Sequence, residues 1–319
     1  MNQAGNIVYL VAGGEFYYYD PNQAPIGEGA TSKVYLGYKY GSNTPYAIKR
    51  VRSEYISNRW VEELIRKEVR LHFNHPNIVN TVGLGEAYTE PGQLYIVSEY
   101  VDGVTVEAWI NRYLTTLPME ERVRQVLDCG IRVLSALHYV HRSGFIHRDI
   151  KPNNIMIDRE GCVKLMDFGI AEFMWDDNAP KRLSGTPEYL APEQVPKTFV
   201  RSIVDARADL YSLGVTMYQM LTGVSPYAAP TQNEILYLHM NQELPRNPQI
   251  PDKVYNILRK ATKRQPSERY DSAADMQAAL EKVREDMDRE RDTDSVLGIV
   301  LGIMGIVILV LIAMMAMYY

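Results

Sequence analysis

The hydrophobic periodicity of the chain changes close to residues 99 to 103, from mainly strand-like before this point to mainly helical after it. Before this point, short runs such as FYYYD, KVYLGYKY and TPYAIKRV alternate apolar and polar residues between Gly, Asn and Pro, which is typical of strands joined by turns. The loop GSNT predicts a hairpin, and WVEELIRKEVRLHF predicts one helix. Later runs such as EERVRQVLDCGIRVLSALHYV have apolar residues at helical spacing. The sequence therefore predicts an α+β protein, sheet-rich first and helix-rich second.

The composition narrows the class of protein. The 319 residues carry a net charge of −5, and 46% are apolar, which are ordinary values for a globular protein. A general nucleic-acid binder would present a basic face, so we expect no nucleic-acid partner. The two cysteines, Cys129 and Cys162, lie inside apolar runs without a second Cys or His at metal-ligand spacing. A structural disulfide or zinc site is therefore not expected.

The C-terminal segment 296–317 contains 22 residues without a charged or strongly polar side chain. As a helix rising ~1.5 Å per residue it would span roughly 33 Å, enough to cross a bilayer core. The alternative is a buried helix of a soluble protein, although such helices rarely reach this length without a polar residue. We therefore expect a transmembrane helix over 296–317.

The residues around this segment predict its orientation. Basic residues occur in the charged stretch 284–295 and none follows the apolar segment, so the positive-inside rule places residues 1–295 in the cytosol. We expect a single-pass membrane protein with a juxtamembrane linker over 284–295, which could equally extend a helix. Gly298 and Gly302 form a GxxxG pattern that would let two helices pack closely in a homodimer, although glycine is common in membrane helices in any case.

The stretch HRDIKPNN, residues 147 to 154, concentrates charged and amide side chains where Pro152 prevents a helix. A second polar cluster, DFG at 167 to 169, follows the apolar strand VKLM. The short strand IMID lies between them, so both clusters should sit at the ends of one hairpin and face the same cleft. A carboxylate at the end of a strand, such as Asp167, is well placed to hold Mg²⁺.

Two further features are weak when taken alone. Gly27 and Gly29 lie between two strands in IGEGATSKV, where glycine lets backbone N–H groups approach phosphate closely, but Gly-x-Gly is also common in hairpins. Lys49 ends the run AIK on the next strand but one. The alternative is an ordinary surface lysine, but the spacing of Lys49 from the glycines favours a contact with phosphate.

The ordered set GEGATSKV, AIK, HPNIV, HRDIKPNN, DFG, GTPEYLAPE, DLYSLG and PSERY resembles a eukaryotic-type (Hanks) protein kinase. KPNN followed by GTPEYLAPE is similar to the serine/threonine pattern. The resemblance covers residues 16–283 and implies the two-lobed kinase fold, with an N-lobe to about residue 101 and a C-lobe from about residue 104. Residues 1–15 would then be an N-terminal extension.

The resemblance also implies catalytic roles. Asp149 would accept the proton of the substrate hydroxyl, and Lys151 would neutralise charge on the transferred phosphoryl group. Asn154 and Asp167 would hold Mg²⁺, with Mn²⁺ as the alternative. His147 would hold the backbone of the loop. Two further structural contacts are implied, one in which Asp209 braces the catalytic loop and one between Glu193 and Arg269.

A larger set would bind ATP. The glycine-rich loop would cover the phosphates, Lys49 would bind the α- and β-phosphates, and the adenine would bond to the backbone of Glu99 and Val101, with Ser98 at the back of the pocket. The residues implied in nucleotide binding are Ile26, Gly27, Glu28, Gly29, Ala30, Thr31, Ser32, Val34, Ala47, Lys49, Glu68, Glu99 and Val101.

The chain departs from the family pattern in two regions. The helix glutamate that pairs with Lys49 would be Glu68, which lies two residues closer to HPNIV than expected, or otherwise Glu63. Between Gly169 and Gly185 the only hydroxyl residue is Ser184. We therefore expect Asp176 or Asp177 to supply the negative charge for Arg148 that a loop phosphate often supplies, unless both aspartates are simply solvated.

Together these features predict a serine/threonine protein kinase that acts on protein hydroxyls at the cytosolic face of a membrane, in signalling. A pseudokinase scaffold is one alternative, although Lys49, Asp149, Asn154 and Asp167 are all present. A small-molecule kinase of related fold is another, and the segment GTPEYLAPE with its peptide-docking character speaks against it.

Overall fold

The computed structural model describes residues 7–29, 32–56, 65–66, 69, 73–168, 187–195, 204–291, 304 and 306. Several residues with predicted roles lie outside this part of the chain, namely Ala30, Thr31, Glu63, Glu68, Asp176, Asp177, Ser184, Gly298 and Gly302. The roles assigned to them stay predictions.

Strands of the first hundred residues form one antiparallel sheet. They are β1 (Val8–Ala12), β2 (Glu15–Tyr19), β3 (Gly27–Glu28), β4 (Ser32–Lys39), β5 (Pro45–Val51), β6 (Thr81–Ala87) and β7 (Tyr95–Glu99). Their order is β2-β1-β6-β7-β5-β4-β3, and β2 also pairs with β4, so that all but β3 close into a barrel. The predicted hairpin at GSNT joins β4 and β5. After the short helix α1 (Ser53–Ile56), the described residues Ile65, Arg66 and Val69 of the predicted long helix are helical.

Tyrosine rings and aliphatic side chains fill the barrel. Tyr19 and Tyr95 are about 1% exposed or less, and their hydroxyl oxygens lie 3.4 Å apart. Gly37 on β4 leaves room for this packing, because a Cβ there would overlap the side chain of Ile48 and come within 2.8 Å of the carbonyl oxygen of Tyr18. The alternation read from the sequence therefore places one face of each strand inside a closed core.

Strand β1 lies in the segment predicted to be an N-terminal extension, residues 1–15. It pairs with β2 along its whole length, and its residues Leu10 and Val11 lie opposite Ala87 and Glu86 of β6. Alternate residues of β1 point inward, and Leu10 is 1% exposed. This part of the extension is thus an integral part of the sheet.

The second part of the chain is mainly helical. Its helices are α2 (Val106–Arg112), α3 (Met119–Arg142), α4 (Arg207–Thr222), α5 (Gln232–Asn241), α6 (Asp252–Ala261) and α7 (273–291), and its strands β8 (Gly103–Thr105), β9 (Ile155–Asp158) and β10 (Val163–Leu165) form a small sheet. Helices α3 and α4 run through the main hydrophobic core. Gly144 after α3 and Gly223 after α4 have φ of 82°, a left-handed conformation that ends a helix readily when the residue is glycine.

Helix α7 continues into the predicted linker 284–295 and is helical as far as residue 291. Arg284 pairs with Asp128 of α3 at 2.9 Å, and the buried guanidinium of Arg124 donates to Asp288 at 2.8 Å. The first eight residues of the predicted linker are therefore fixed to the helical lobe.

The predicted transmembrane segment 296–317 lies outside the described residues except for Met304 and Ile306, which are helical and exposed. Among the described helices, none combines the length and the apolar character needed to cross a membrane.

We predict that Leu10→Ala lowers the free energy of unfolding by about 2–4 kcal/mol, because it leaves a cavity in the barrel. The matched control is Tyr9→Ala on the same strand, where a ring that is 49% exposed should cost less than about 1 kcal/mol. Denaturant unfolding followed by fluorescence measures both. Equal losses would show that β1 does not pack inside the barrel.

Candidate active site

The backbone of the loop 147–154 is held by a carboxylate from α4. The Asp209 side chain is fully buried, and its two oxygens accept the N–H groups of His147 at 2.9 Å and Arg148 at 2.7 Å. The ring of His141 bonds to the same carboxylate at 2.8 Å. Arg148 has φ of 65°, a strained conformation for a residue with a side chain, and these bonds stabilise it. The predicted bracing role of Asp209 is confirmed.

His147 holds the loop from the inside, as predicted. Its Nδ1 accepts the N–H of Asp149 at 3.3 Å, so Nε2 carries the proton and donates to the carbonyl of Met166 at 3.1 Å. Burial lowers the pKa of this imidazole and keeps it neutral, which this pattern of one acceptor and one donor requires. The ring also packs against Phe168, with centroids 4.6 Å apart.

Asp149, Lys151 and Asn154 are brought together by a short 3₁₀ turn at Pro152–Asn154. Lys151 Nζ donates to both oxygens of the Asp149 carboxylate, at 3.0 and 2.8 Å. The amide nitrogen of Asn154 donates to the Asp149 carboxylate at 2.7 Å and to its backbone carbonyl at 2.8 Å. The carboxylate is thus held in one orientation, and the side chain remains 26% exposed, within reach of an incoming group.

Lys49 of β5 contacts Asp167, the second predicted metal ligand, across the cleft between the sheet and the helical part. Its Nζ lies 2.7 Å from an oxygen of Asp167, whose φ is 60°. Desolvation raises the pKa of the Asp167 carboxyl, but Lys49, together with weaker contributions from neighbouring groups, lowers it by more, so the pKa lies below its ordinary value. Both predicted glutamate partners of Lys49 lie outside the described residues.

The residues at the cleft fit a divalent cation that also binds phosphate. The backbone N–H of Met166 donates to the carbonyl of Asn154 at 2.9 Å, which brings the neighbour of Asp167 against Asn154. Since the amide nitrogen of Asn154 bonds to Asp149, its oxygen is the atom left for a metal. In the part of the chain that the structure describes, His, Cys, Asp and Glu form no cluster of three or more that would hold a metal alone. One carboxylate and one amide suit Mg²⁺, which takes its other ligands from water and phosphate.

The glycine-rich loop and the predicted adenine site are built on four neighbouring strands, β3, β4, β5 and β7. Ile26 donates its N–H to Val34 at 2.8 Å, and Gly29 donates to Ser32 at 2.9 Å, which closes the loop between β3 and β4. Ala47 of β5 lies opposite Ser98 of β7, next to Glu99, the first predicted adenine contact. Val101, the second predicted adenine contact, is buried.

Sequence reasoning assigned only the backbone of Glu99 a role, and the structure gives its side chain one as well. Its carboxylate pairs with Lys164 of β10 at 2.6 Å and accepts the N–H of Asn80 at 3.1 Å. Lys164 is the one cation in the apolar run VKLM, and a charge there is the signal that could have indicated a partner.

The segment HPNIV, residues 75–79, precedes β6 of the sheet-rich lobe and bonds to β10, the strand before Asp167. Leu165 donates its N–H to the carbonyl of Asn77, and Val79 donates to the carbonyl of Leu165, both at 2.9 Å. The Asn77 side chain donates to the carbonyl of Val163 at 2.8 Å. These bonds fix β10, and with it Asp167, relative to both parts of the molecule.

The described part of GTPEYLAPE and the two residues after it, together residues 187–195, are anchored to the helical core. The predicted ion pair is present: Arg269 donates to both oxygens of Glu193 at 2.6 and 2.8 Å, and both side chains are almost fully buried. Tyr189 donates to Gln219 at 2.6 Å. Gln194 donates to the carbonyl of Arg148 at 3.2 Å, so this segment is linked directly to the catalytic loop.

Comparison with protein families gives one match over most of the chain. Residues 21–281 match the model described as the protein kinase domain. The matched range begins after β2, so both strands of the β1–β2 hairpin lie before it.

Curated relatives and a solved structure are similar over the same region. The chain is 35% identical to a probable serine/threonine-protein kinase of Clostridium perfringens over 82% of this chain and 38% of the relative. It is 34% identical to the serine/threonine-protein kinase PrkC of Bacillus subtilis, over 83% and 40% of the two chains. For PknB of Mycobacterium leprae the identity is 35%, over 81% and 42%. The chain thus spans about two fifths of the length of these relatives.

A crystal structure of the Mycobacterium tuberculosis PknI kinase domain, as a double mutant, superposes with a TM-score of 0.63 at 24% identity, covering 89% of this chain and all of that one. At this identity the likeness concerns the fold, and it agrees with the predicted two-lobed architecture.

We predict that Asp209→Asn lowers the free energy of unfolding by about 3 kcal/mol, because it weakens charge-assisted bonds to a buried backbone. The matched control is Asp205→Asn, whose partner Arg207 is half-exposed and whose loss should cost less than about 1 kcal/mol. Denaturant unfolding compares the two. An Asp209 variant as stable as the Asp205 variant would contradict the bracing role.

Proposed function

Because the chain belongs to the protein kinase family, we propose that it is a serine/threonine protein kinase that transfers the γ-phosphoryl group of ATP to protein hydroxyls. The observation that carries this proposal is the single connected site in which Lys151 and Asn154 orient Asp149, while Asn154 also bonds to Met166, which lies between strand β10 and Asp167. Base, cation and metal ligands thereby lie around one reacting group, as phosphoryl transfer requires.

Each of the four residues at the centre of the site then has a defined task. Asp149 orients the substrate hydroxyl and takes its proton, while Lys151 neutralises the charge that develops on the phosphoryl group. Asn154 and Asp167 would hold Mg²⁺, or Mn²⁺ in its place, which neutralises charge on the phosphates when bound. The reaction needs little covalent chemistry from the protein, so orientation of these groups is its main contribution.

Nucleotide binding would change the contacts of Lys49. Its ammonium now lies 2.7 Å from Asp167. The α- and β-phosphates of ATP offer it new anionic partners, and the depressed pKa of Asp167 keeps that carboxylate ionised for the metal. The adenine would lie between the glycine-rich loop and the hinge at Glu99 and Val101.

The described contacts disfavour the two rival functions. A pseudokinase scaffold would not need Asp149 to be oriented by two donors at 2.7 and 2.8 Å. A small-molecule kinase would not need the segment 187–195 to be tied both to the core by Glu193 and to the catalytic loop by Gln194. The similarity to proteins named as serine/threonine-protein kinases supports protein hydroxyls as the acceptors.

The location of this activity is a further part of the proposal. The apolar run 296–317 would anchor the chain in a membrane with the kinase domain on the cytosolic side, where it would act in signalling. Helix α7, which is fixed to the helical lobe by Arg284 and Arg124, would then hold that lobe close to the bilayer. Gly298 and Gly302 would allow a homodimer within the membrane.

The first prediction from this proposal concerns phosphate transfer and its dependence on Asp149. With ATP, Mg²⁺ and a generic protein substrate, the chain should transfer phosphate to serine or threonine, and Asp149→Asn should reduce kcat by at least about 100-fold while ATP still binds. Phosphoamino-acid analysis and ATP calorimetry measure the two properties. Binding without transfer by the unaltered chain would favour a scaffold, and transfer only to small molecules would favour the other rival.

The membrane prediction concerns fractionation. The full chain should stay with membranes after an alkaline wash, whereas residues 1–295 should be released. Leu309→Arg should weaken retention, because arginine at the centre of a membrane helix costs about 2.5–3.5 kcal/mol, and Leu309→Ile is the matched control. Recovery of the full chain without detergent would remove the anchor from the proposal, and crosslinking that stays monomeric would remove the homodimer.

A further inference from the structure

Arg52, which follows strand β5 and is not among the predicted nucleotide-binding residues, contacts the glycine-rich loop. Its Nη2 donates to the Glu28 carboxylate at 2.7 Å. Its Nε and Nη2 also donate to the backbone carbonyl of Gly29, at 3.3 and 3.1 Å. One planar guanidinium therefore bridges a side chain and the backbone of consecutive residues of the loop: Nη2 donates to both acceptors, and Nε adds a second bond to Gly29.

These bonds restrain Gly29, which has no side chain that could make contacts of its own. Gly29 donates its N–H to Ser32 at 2.9 Å and offers its carbonyl to Arg52, so both of its backbone polar groups are engaged. Because a trans peptide is planar, fixing this carbonyl also fixes the orientation of the peptide plane to which it belongs. Without such bonds a glycine samples many conformations, and ordering it on ligand binding opposes affinity.

We propose that Arg52 is a positioning residue for ATP: by bridging Glu28 and Gly29 it holds the glycine-rich loop in the form that covers the phosphates. This inference rests on the proposed kinase function. Arg52 acts through the backbone of the loop, so its loss should weaken nucleotide binding and leave the orientation of Asp149 and Lys151 intact.

The neighbouring Lys33 provides a matched control for charge. Its Nζ lies 3.5 Å from the same oxygen of Glu28, and its side chain is 41% exposed. Lys33→Ala removes a cation beside Glu28 and leaves the bridge from Arg52 to Gly29 in place. A comparison of the two positions therefore separates the bridge from the general effect of positive charge on an anionic ligand.

The test measures ATP affinity and turnover in the full chain for Arg52→Ala, Arg52→Lys and Lys33→Ala. We expect Arg52→Ala to raise KM for ATP about threefold to tenfold, the range for one or two partly exposed charge-assisted bonds, with kcat changed less than twofold. Arg52→Lys should not fully restore KM, because the lysine side chain is one bond shorter and has no donor at the position of Nε. Lys33→Ala should leave KM within about twofold, since exposed ion pairs contribute little.

Calorimetry with MgATP on each variant in an Asp149→Asn background separates this inference from the proposed function. A weaker Kd for Arg52→Ala there supports the bridge even if the unaltered chain transfers no phosphate. An unchanged Kd and KM for Arg52→Ala, an equal rise for Lys33→Ala, or full rescue by Arg52→Lys would each overturn it. A loss of kcat without a change in KM, accompanied by a lower Tm, would also overturn it, since that result indicates a role in stability alone.

Discussion

The carboxylate of Asp209 is the interaction on which the rest of the site depends. It is removed from water, and its burial is offset by three donors, two of them backbone N–H groups of the loop that carries Asp149. Burying such a charge is unfavourable unless every donor is in place, so the carboxylate and the loop specify one another. From this loop the network extends outward, through His147 to Met166 beside Asp167 and through Gln194 to the segment 187–195. The groups proposed for chemistry are thereby held by buried polar contacts, while the side chains of Asp149, Lys151 and Asp167 stay partly exposed.

Strand β10 contacts both lobes of the molecule. Strand β10 pairs with β9 of the helical lobe, yet Asn77 and Val79 bond to its other edge and Glu99 pairs with Lys164 within it. The strand that leads to Asp167 is therefore fixed from both directions. Lys49 on β5 meets Asp167 at the end of this strand, so the contact between the lobes is electrostatic where the nucleotide would bind. An anionic ligand could take over the contact of Lys49 without disturbing a packed core.

Much of this could be predicted from the sequence, because the motifs are local and their chemistry is recognisable in short stretches. Strands β4 and β5, the catalytic loop, the role of Asp209 and the pair of Glu193 with Arg269 were all expected. The features that were not expected depend on contacts between residues distant in sequence. Strand β1 has only five residues, and its place in the sheet follows from pairing with β6 more than seventy positions later. Arg52 looks like an ordinary surface cation until the fold brings Gly29 to it. Lys164 stands out as a charge in an apolar run, but only the fold shows that its partner is Glu99, because periodicity carries no information on partners distant in sequence.

The closed barrel of the small lobe has a consequence for how other chains can recognise it. An open sheet offers a row of free backbone groups to which a foreign strand can add, and a barrel removes that template. Among the described strands, the ring from β2 through β1, β6, β7 and β5 to β4 leaves only the two residues of β3 at a border. Among these strands a foreign strand can add only at β3, so elsewhere on the barrel wall a binding protein would meet side chains such as Tyr9, Tyr18 and Tyr38, which lie in a row across three neighbouring strands.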